Sequence, residues 1–232
     1  VVSVDTNRKT VQHPKGGVVA AILVREGARV KVDEILLRLN DTEIKAQFDI
    51  ARGQYFVARA MEARLLAERD EASSVRFPVD IVDAGTVDPG AEEAMRSQFR
   101  LFTARQAALK SELGTLDETI VGFNNQIVGL KSIEAGKKTQ IDLLEKELGS
   151  YRSLADEGFV PRNKLYELER TLADIAGTRG GDLAQIARAQ ASINEIKLRK
   201  LQRREDFRKE VETQISETQK EVNSRRDQIK AL

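Results

Sequence analysis

His13 is the single histidine of this 232-residue chain, and cysteine is absent. A zinc site needs several imidazole or thiolate ligands, and a histidine-based nucleophilic triad needs partners around its imidazole, so neither chemistry has a set of residues to recruit. His13 reads as an exposed strand residue. Gly180-Gly181 is followed by no Lys-Ser/Thr, so it is not a phosphate-cradling loop, and it reads as a soft point in a rod. Carboxylates are plentiful, 37 in all, but there is no Trp and only 5% aromatic residues to wall a pocket around a pair of them. On helix surfaces they imply solvation, not acid–base catalysis. The basic cluster Lys197, Arg199, Lys200, Arg203, Arg204, Arg208 and Lys209 is interspersed with Glu195, Glu205, Asp206 and Glu210. With 38 basic residues against 37 acidic ones, it reads as the solvated face of a helix and not as a nucleic-acid footprint. The expectation is a protein with no catalytic, metal or cofactor residues, hence not an enzyme.

What these residues decorate is a chain made for long helices. It is 32% charged and rich in Ala, Leu, Glu, Lys, Gln and Arg, a composition that buries a narrow stripe and solvates the rest. Residues 1–40 carry strand signals: Val2, Val4, Val11, Gly16-Gly17-Val18-Val19, Ile22, Val24, Val30 and Ile35-Leu36-Leu37-Arg38-Leu39, with turns at Pro14, Gly16-Gly17 and Gly27. So few short strands make no independent core. Asn40 or Asp41 caps a helix over 41–72, where Ile44, Phe48, Ala51, Tyr55, Ala58, Met61 and Leu65 keep helical spacing. Residues 73–90, with Pro78, Gly85 and Pro89, read as a connecting loop.

From residue 91 the pattern becomes regular. Phe102, Leu109, Leu116, Phe123, Leu130, Lys137, Leu144 and Tyr151 recur every seventh residue, interleaved with Leu113, Ile120, Ile127, Glu134, Ile141, Leu148 and Ala155. Alternating steps of three and four specify a supercoiled helix over 91–157, loosened at Glu134 and Lys137. Gly158 reads as a left-handed C-cap and Pro161 as a restart, so 158–161 is a turn. The returning arm, 162–232, has its own heptads in Leu165, Leu168, Leu172, Ile175, Ile186, Ala189, Ile193 and Ile196. Steps of four through Lys200, Arg204 and Arg208 predict a stutter before Val211, Ile215, Thr218, Val222, Ile229 and Leu232. Two such helices joined by a tight turn lie antiparallel, with residues near 102 opposite residues near 215. Each arm would be about 100 Å long. No window approaches the roughly 20 apolar residues of a membrane span. Both ends read as cut, so an anchor is expected upstream.

The segment Gly17-Val18-Val19, Ile22-Leu23-Val24-Arg25-Glu26-Gly27, Val30 and Ile35-Leu36-Leu37-Arg38-Leu39 resembles half of a biotinyl/lipoyl domain. Carrier members of that family hold a Lys at the next hairpin, where this chain has Asn40-Asp41-Thr42-Glu43 and Lys45 is already on the helix. A half lipoyl-like β domain interrupted by a helical hairpin looks like a membrane fusion protein. Asn7-Arg8-Lys9-Thr10-Val11-Gln12-His13 and Arg64-Leu65-Leu66-Ala67-Glu68-Arg69-Asp70 resemble its HlyD branch. The resemblance implies a mainly α fold: a long antiparallel coiled-coil hairpin plus an additional helix beside its base, inserted in the half lipoyl-like domain. In that family a second lipoyl half and a β-barrel follow the returning arm.

The resemblance further implies a periplasmic adaptor, anchored to the inner membrane of a Gram-negative bacterium, that bridges an inner-membrane ABC transporter to a TolC-like outer-membrane channel. Its cargo would be a secreted protein, and about six copies would surround the duct. Channel contact is expected at the tip, from Arg152, Leu154, Gly158, Phe159, Val160, Pro161, Arg162 and Leu165. The family's tip motif is an Arg, a Leu four residues later and a Ser or Thr seven beyond. Aligned on Leu154, Ser150 and Pro161 take the outer positions, and only the Leu is kept, with Arg152 and Arg162 nearby. Two other roles fit the same residues: an adaptor of a multidrug or small-molecule efflux pump, and a structural coiled-coil scaffold. A biotin carrier is a remote third.

Overall fold

The structure, a computed structural model, describes residues 10–12 and 16–232. The readings of Val2, Val4, His13 and Pro14 fall outside the described residues. In chain order the elements are β1 (Val19–Ile22), β2 (Leu37–Leu39), α1 (Thr42–Arg69), α2 (Val79–Gly85), α3 (Pro89–Asp156) and α4 (Arg162–Ala231). Among the described residues no helix is long and apolar enough to cross a membrane. The residues form two compact units: Val1–Arg64 with Arg76–Gln98 and Ile215–Leu232, and Leu65–Val75 with Phe99–Gln214.

In the first unit β1 and β2 pair antiparallel, Val19 opposite Leu39 and Ile22 opposite Leu37, with an irregularity between Val19 and Ala21. Val18, Ile22, Leu23 and Ile35 stay exposed, as two strands without a covering layer must leave them. The Asn40 side chain then accepts the Thr42 N–H at 3.0 Å and starts α1. Burial widens along this helix. Ala51 and Phe56 face inward with their neighbours in solvent, whereas Ala60, Glu62, Ala63 and Arg64 are all buried. Only a helix enclosed on several sides does this.

The enclosure comes partly from α2, in the stretch expected to be an irregular connection. Ile81 is fully buried against Phe56, Ala60, Ala91 and Ala94, so this helix of about two turns fastens α1 to the start of α3. Pro78 ends the preceding extended segment and Gly85 closes the helix, which is why the sequence there reads as breakers. Asp88 caps α3 by accepting the Gly90 N–H at 2.9 Å, with Pro89 as its first residue, and also pairs with Arg52 at 3.2 Å. Ile215, Thr218 and Val222 bury the α4 side of this unit. A polar chain runs across it. The Tyr55 hydroxyl donates to Asp80 Oδ2 at 2.5 Å, Arg59 Nε reaches the same oxygen at 3.3 Å, and a second Arg59 nitrogen holds Glu62. Burial works to raise the Asp80 carboxyl, but the Tyr55 hydrogen bond and the Arg59 charge outweigh it and leave it below its ordinary 3.8. The Tyr55 phenol is pushed up, first by burial and then by the Asp80 carboxylate.

The second unit is built on a narrow seam between α3 and α4. The two interleaved series on α3 are buried or half-buried at every position from Phe102 to Ala155, and nearly all residues between them are exposed. On α4 the matching residues are Leu165, Leu168, Leu172, Ile175, Ile186, Ala189, Ile193 and Ile196. Ile127 packs with Ala189 and Ile193, flanked by Ile120, Phe123 and Ile186. Ion pairs straddle the seam in antiparallel order: Arg105–Glu210 at 2.9 Å, Arg203–Glu112 at 2.7 Å, Lys200–Asp117 at 2.5 Å and Arg152–Glu169 at 2.7 Å. The first three pairs lie within one residue of equidistant from Gly158, and Arg152–Glu169 joins the arms beside the turn, which fixes the two arms as a hairpin about that turn.

Two details differ from the expected seam. Arg204 and Arg208 are exposed, and the inward positions are instead Arg203 and Phe207, giving steps of four from Arg203 through Phe207 to Val211. The aromatic ring decides the phase, and the Arg105 guanidinium lies 5.1 Å above it. Arg105 also meets Glu68 at the end of α1 at 3.2 Å, a carboxylate whose side chain is 1% exposed. Arg179 and Asp182 also enter the seam between Ile175 and Ile186, opposite Glu134 and Lys137.

Because the folded Asp80 carboxyl titrates below 3.8, its contribution to stability is complete above that value and is lost as pH falls through the folded value. In Asp80→Asn the fall in thermal midpoint between pH 7 and pH ~3 is therefore shallower than in the parent, read by circular dichroism. In the seam, Ile193→Ala removes a side chain only 2% exposed and costs about 2–5 kcal/mol in urea unfolding. Leu198→Ala, on the outer face of the same helix, stays within about 0.5 kcal/mol of the parent.

Candidate functional site

The turn between the arms is a compact backbone motif. Leu154 is three residues inside the end of α3, and its carbonyl accepts the Phe159 N–H at 2.9 Å. The Gly158 N–H donates to the Ala155 carbonyl at 3.1 Å, and Gly158 has φ of 84°. These are the two reversed hydrogen bonds of a Schellman cap, which needs a residue in the left-handed region, where a side chain is strained. Pro161 then precedes α4 and its carbonyl accepts the Lys164 N–H at 3.1 Å.

The fixed backbone presents side chains that the seam does not use. Tyr151 and Ala155 point into the seam, so Leu154, between them, points out and is 41% exposed. Phe159, on the turn, is 76% exposed. Val160 and Leu165 are half-buried, while Pro161 and Arg162 are exposed. Arg152 lies on the flank and spends its guanidinium on Glu169 of the opposite arm, at 2.7 Å, which ties the arms together just inside the turn. The structure thus brings the expected tip residues to one end of the second unit and divides them into outward apolar groups, seam groups and an internal tie.

Sequence spacing missed Tyr166, the fifth residue of α4, which is 56% exposed. The signal was available: a large ring directly beside Leu165, outside both heptad positions. It also missed Glu169 as the partner of Arg152. Near the turn, Lys164 and Glu167 pair at 2.9 Å. Each holds the other's charged form, raising the lysine and lowering the carboxyl, chiefly through their hydrogen bond. Two aromatic rings and a leucine ringed by paired charges are suited to helix-to-helix docking. Among the described residues no group of three or more His, Asp or Glu is placed to hold a metal ion.

The chain is 38% identical over 224 residues to the alkaline protease secretion protein AprE of Pseudomonas aeruginosa, covering 97% of this chain and 51% of that protein. It is 34% identical to the type I secretion system membrane fusion protein PrsE of Rhizobium meliloti, over 100% of this chain and 54% of that one. For the proteases secretion protein PrtE of Dickeya chrysanthemi the identity is 32%, over 96% and 49%. The chain thus spans about half the length of these curated relatives. Among solved structures, the crystal structure of the soluble domain of LipC, a membrane fusion protein of a type I secretion system, superposes with a TM-score of 0.90 at 35% identity, covering 97% of this chain and 84% of that one. Residues 44–232 match the family model described as AprE, long alpha-helical hairpin. The chain belongs to the AprE long α-helical hairpin family.

Proposed function

We propose that this chain is the helical-hairpin part of a periplasmic adaptor that bridges an inner-membrane ABC transporter to a TolC-like outer-membrane channel in type I protein secretion. The observation that carries the reading is the tip: Leu154, Phe159 and Tyr166 are apolar, exposed, and held on a turn whose backbone is already fixed. An apolar anchor on a rigid support loses little entropy when it docks, which favours recognition by packing against channel helices. Arg152, Gly158, Val160, Pro161, Arg162 and Leu165 shape or flank that surface. The secretion names carried by the AprE, PrsE and PrtE relatives and by LipC support the same role.

We infer the remainder of the role from the family resemblance and the relatives' names. The exposed apolar residues of β1 and β2 fit one half of a lipoyl-like module, placed toward the transporter. The adaptor lies in the periplasm, tethered to the inner membrane, with several copies, six by family resemblance, around a duct for the secreted protein. Proteases are the cargo class that the AprE and PrtE names suggest. Such a strut needs reach and docking chemistry, and ATP hydrolysis belongs to the transporter.

In the protein that carries this hairpin in cells, Leu154→Asp places a charge in the docking surface. Losing an apolar anchor of an interface costs about 2 kcal/mol or more, so channel recovered by pull-down and secreted protein both fall roughly tenfold or further. Because Leu154 lies outside the seam, protein level and thermal midpoint stay at parental values. Undiminished secretion at normal protein level would remove the tip from the mechanism.

A further inference from the structure

Along the α3–α4 seam of the second unit, nearer the turn than the base, two successive inward positions on each arm are charged. Glu134 and Lys137 on α3 stand where Leu130 and Ile141 flank them, and Arg179 and Asp182 on α4 stand between Ile175 and Ile186. Arg179 Nε donates to Glu134 Oε1 at 2.6 Å, and Lys137 Nζ meets Asp182 Oδ2 at 2.6 Å. Their side chains retain from 12% to 32% exposure, so this is a layer where water reaches the seam. Two full positions of knobs-into-holes packing are replaced by two ion pairs.

A polar layer in a coiled coil commonly fixes register. Here the register is already fixed covalently, because the short turn at Gly158 allows the arms one alignment. What remains is a local loss of apolar burial, and the backbone at the same level is weakened too. Gly136 lies beside the layer on α3, and Gly177, Gly180 and Gly181 lie beside it on α4. A Cβ added at any of these four would meet nothing within 4 Å, so no contact inside the chain requires glycine there. Each lowers helix propensity relative to alanine. Weak packing and weak propensity coincide most clearly on α4, where three glycines fall within five residues; on α3, Gly136 is one of five open glycines spread along the helix.

We propose that this layer is a hinge within the hairpin, at which the tip-bearing part of the two arms bends as a unit. Ion pairs suit that task. Their attraction tolerates changes of angle and distance that would open voids between interlocked leucines, so the arms stay joined while bending and expose little apolar surface.

Hydrogen exchange of the purified 232-residue chain tests the weakness directly. Amides at 131–138 and 176–184 should show protection roughly tenfold or more below those at 120–127 and 189–196. Bending is read with spin labels at Ser111→Cys and Ser150→Cys on α3, about 60 Å apart along the helix and free of competing native cysteine. The distance distribution should be broad. It should narrow in a repacked variant carrying Glu134→Ile, Lys137→Leu, Arg179→Ile and Asp182→Leu, and also in Gly177→Ala/Gly180→Ala/Gly181→Ala, which keeps the ion pairs. Protection equal to that of the flanks overturns the hinge, and so does a width unchanged in both variants. Neither measurement involves a transporter or a channel, so failure here leaves the proposed secretion role standing, and failure of that role leaves the hinge standing.

Discussion

The contact on which this molecule depends is the apolar stripe of α3 laid against that of α4. The chain has no Trp and few aromatic residues, so its core cannot be made of large rings. It is made mainly of leucine, isoleucine and valine at alternating three- and four-residue steps, with Phe102, Phe123, Tyr151 and Phe207 among them, and a large apolar side chain contributes about 1.5–3 kcal/mol when fully buried. The ion pairs that straddle the stripe are partly exposed and worth about 0–1 kcal/mol apiece, so they align the arms without holding them together. The same arithmetic explains the composition. A two-helix seam uses two residues in seven, which leaves most of each helix to be charged.

The first unit solves a different packing problem. Where α1, α2 and the start of α3 converge, the inward residues shrink to Ala51, Ala58, Ala60, Ala63, Ala91 and Ala94, with Phe56 and Ile81 filling between them. Small side chains let helix backbones approach, and an enclosed helix must then bury polar groups as well. Glu62 and Arg64 are buried for that reason, and each has a partner, Arg59 for the first and Gln98 for the second at 2.8 Å. Burying those charges without partners would cost far more than the alanine contacts return.

How much of this was legible follows from which signals are periodic. The α3 series could be read position by position from Phe102 to Ala155, because one rule governs all of it. Arg179 and Asp182 could not, since a charged residue at a seam position looks like a break until its cross-helix partner is known. Phe207 was passed over for Arg204 and Arg208 because the stutter has two equally regular continuations, and only burial of the ring chooses between them. The α2 helix was hidden by Pro78 and Gly85, which read as breakers although they bracket one buried isoleucine. At the tip, Gly158 and Pro161 announced a turn through backbone chemistry, whereas Tyr166 was missed because exposure is a property of the packed pair of arms. The strands β1 and β2 were legible as strands, but two short segments do not specify the layer that covers them.

The turn at Gly158 also explains why the exposed residues sit where they do. In most turns an apolar side chain would fold back to stabilise the reversal. Here the Schellman hydrogen bonds fix the backbone, and the Arg152–Glu169 pair ties the arms just behind it. Leu154, Phe159 and Tyr166 are therefore not needed to hold the end of the hairpin. A large ring left 76% in water adds nothing to the isolated fold, and an exposed patch of this kind is a cost in solubility. The cost is offset only when something covers the patch. On the proposed role, a rigid turn keeps the entropy loss on contact small, and the proposed hinge at the Glu134–Arg179 and Lys137–Asp182 layer would reorient the tip without loosening the turn that presents it.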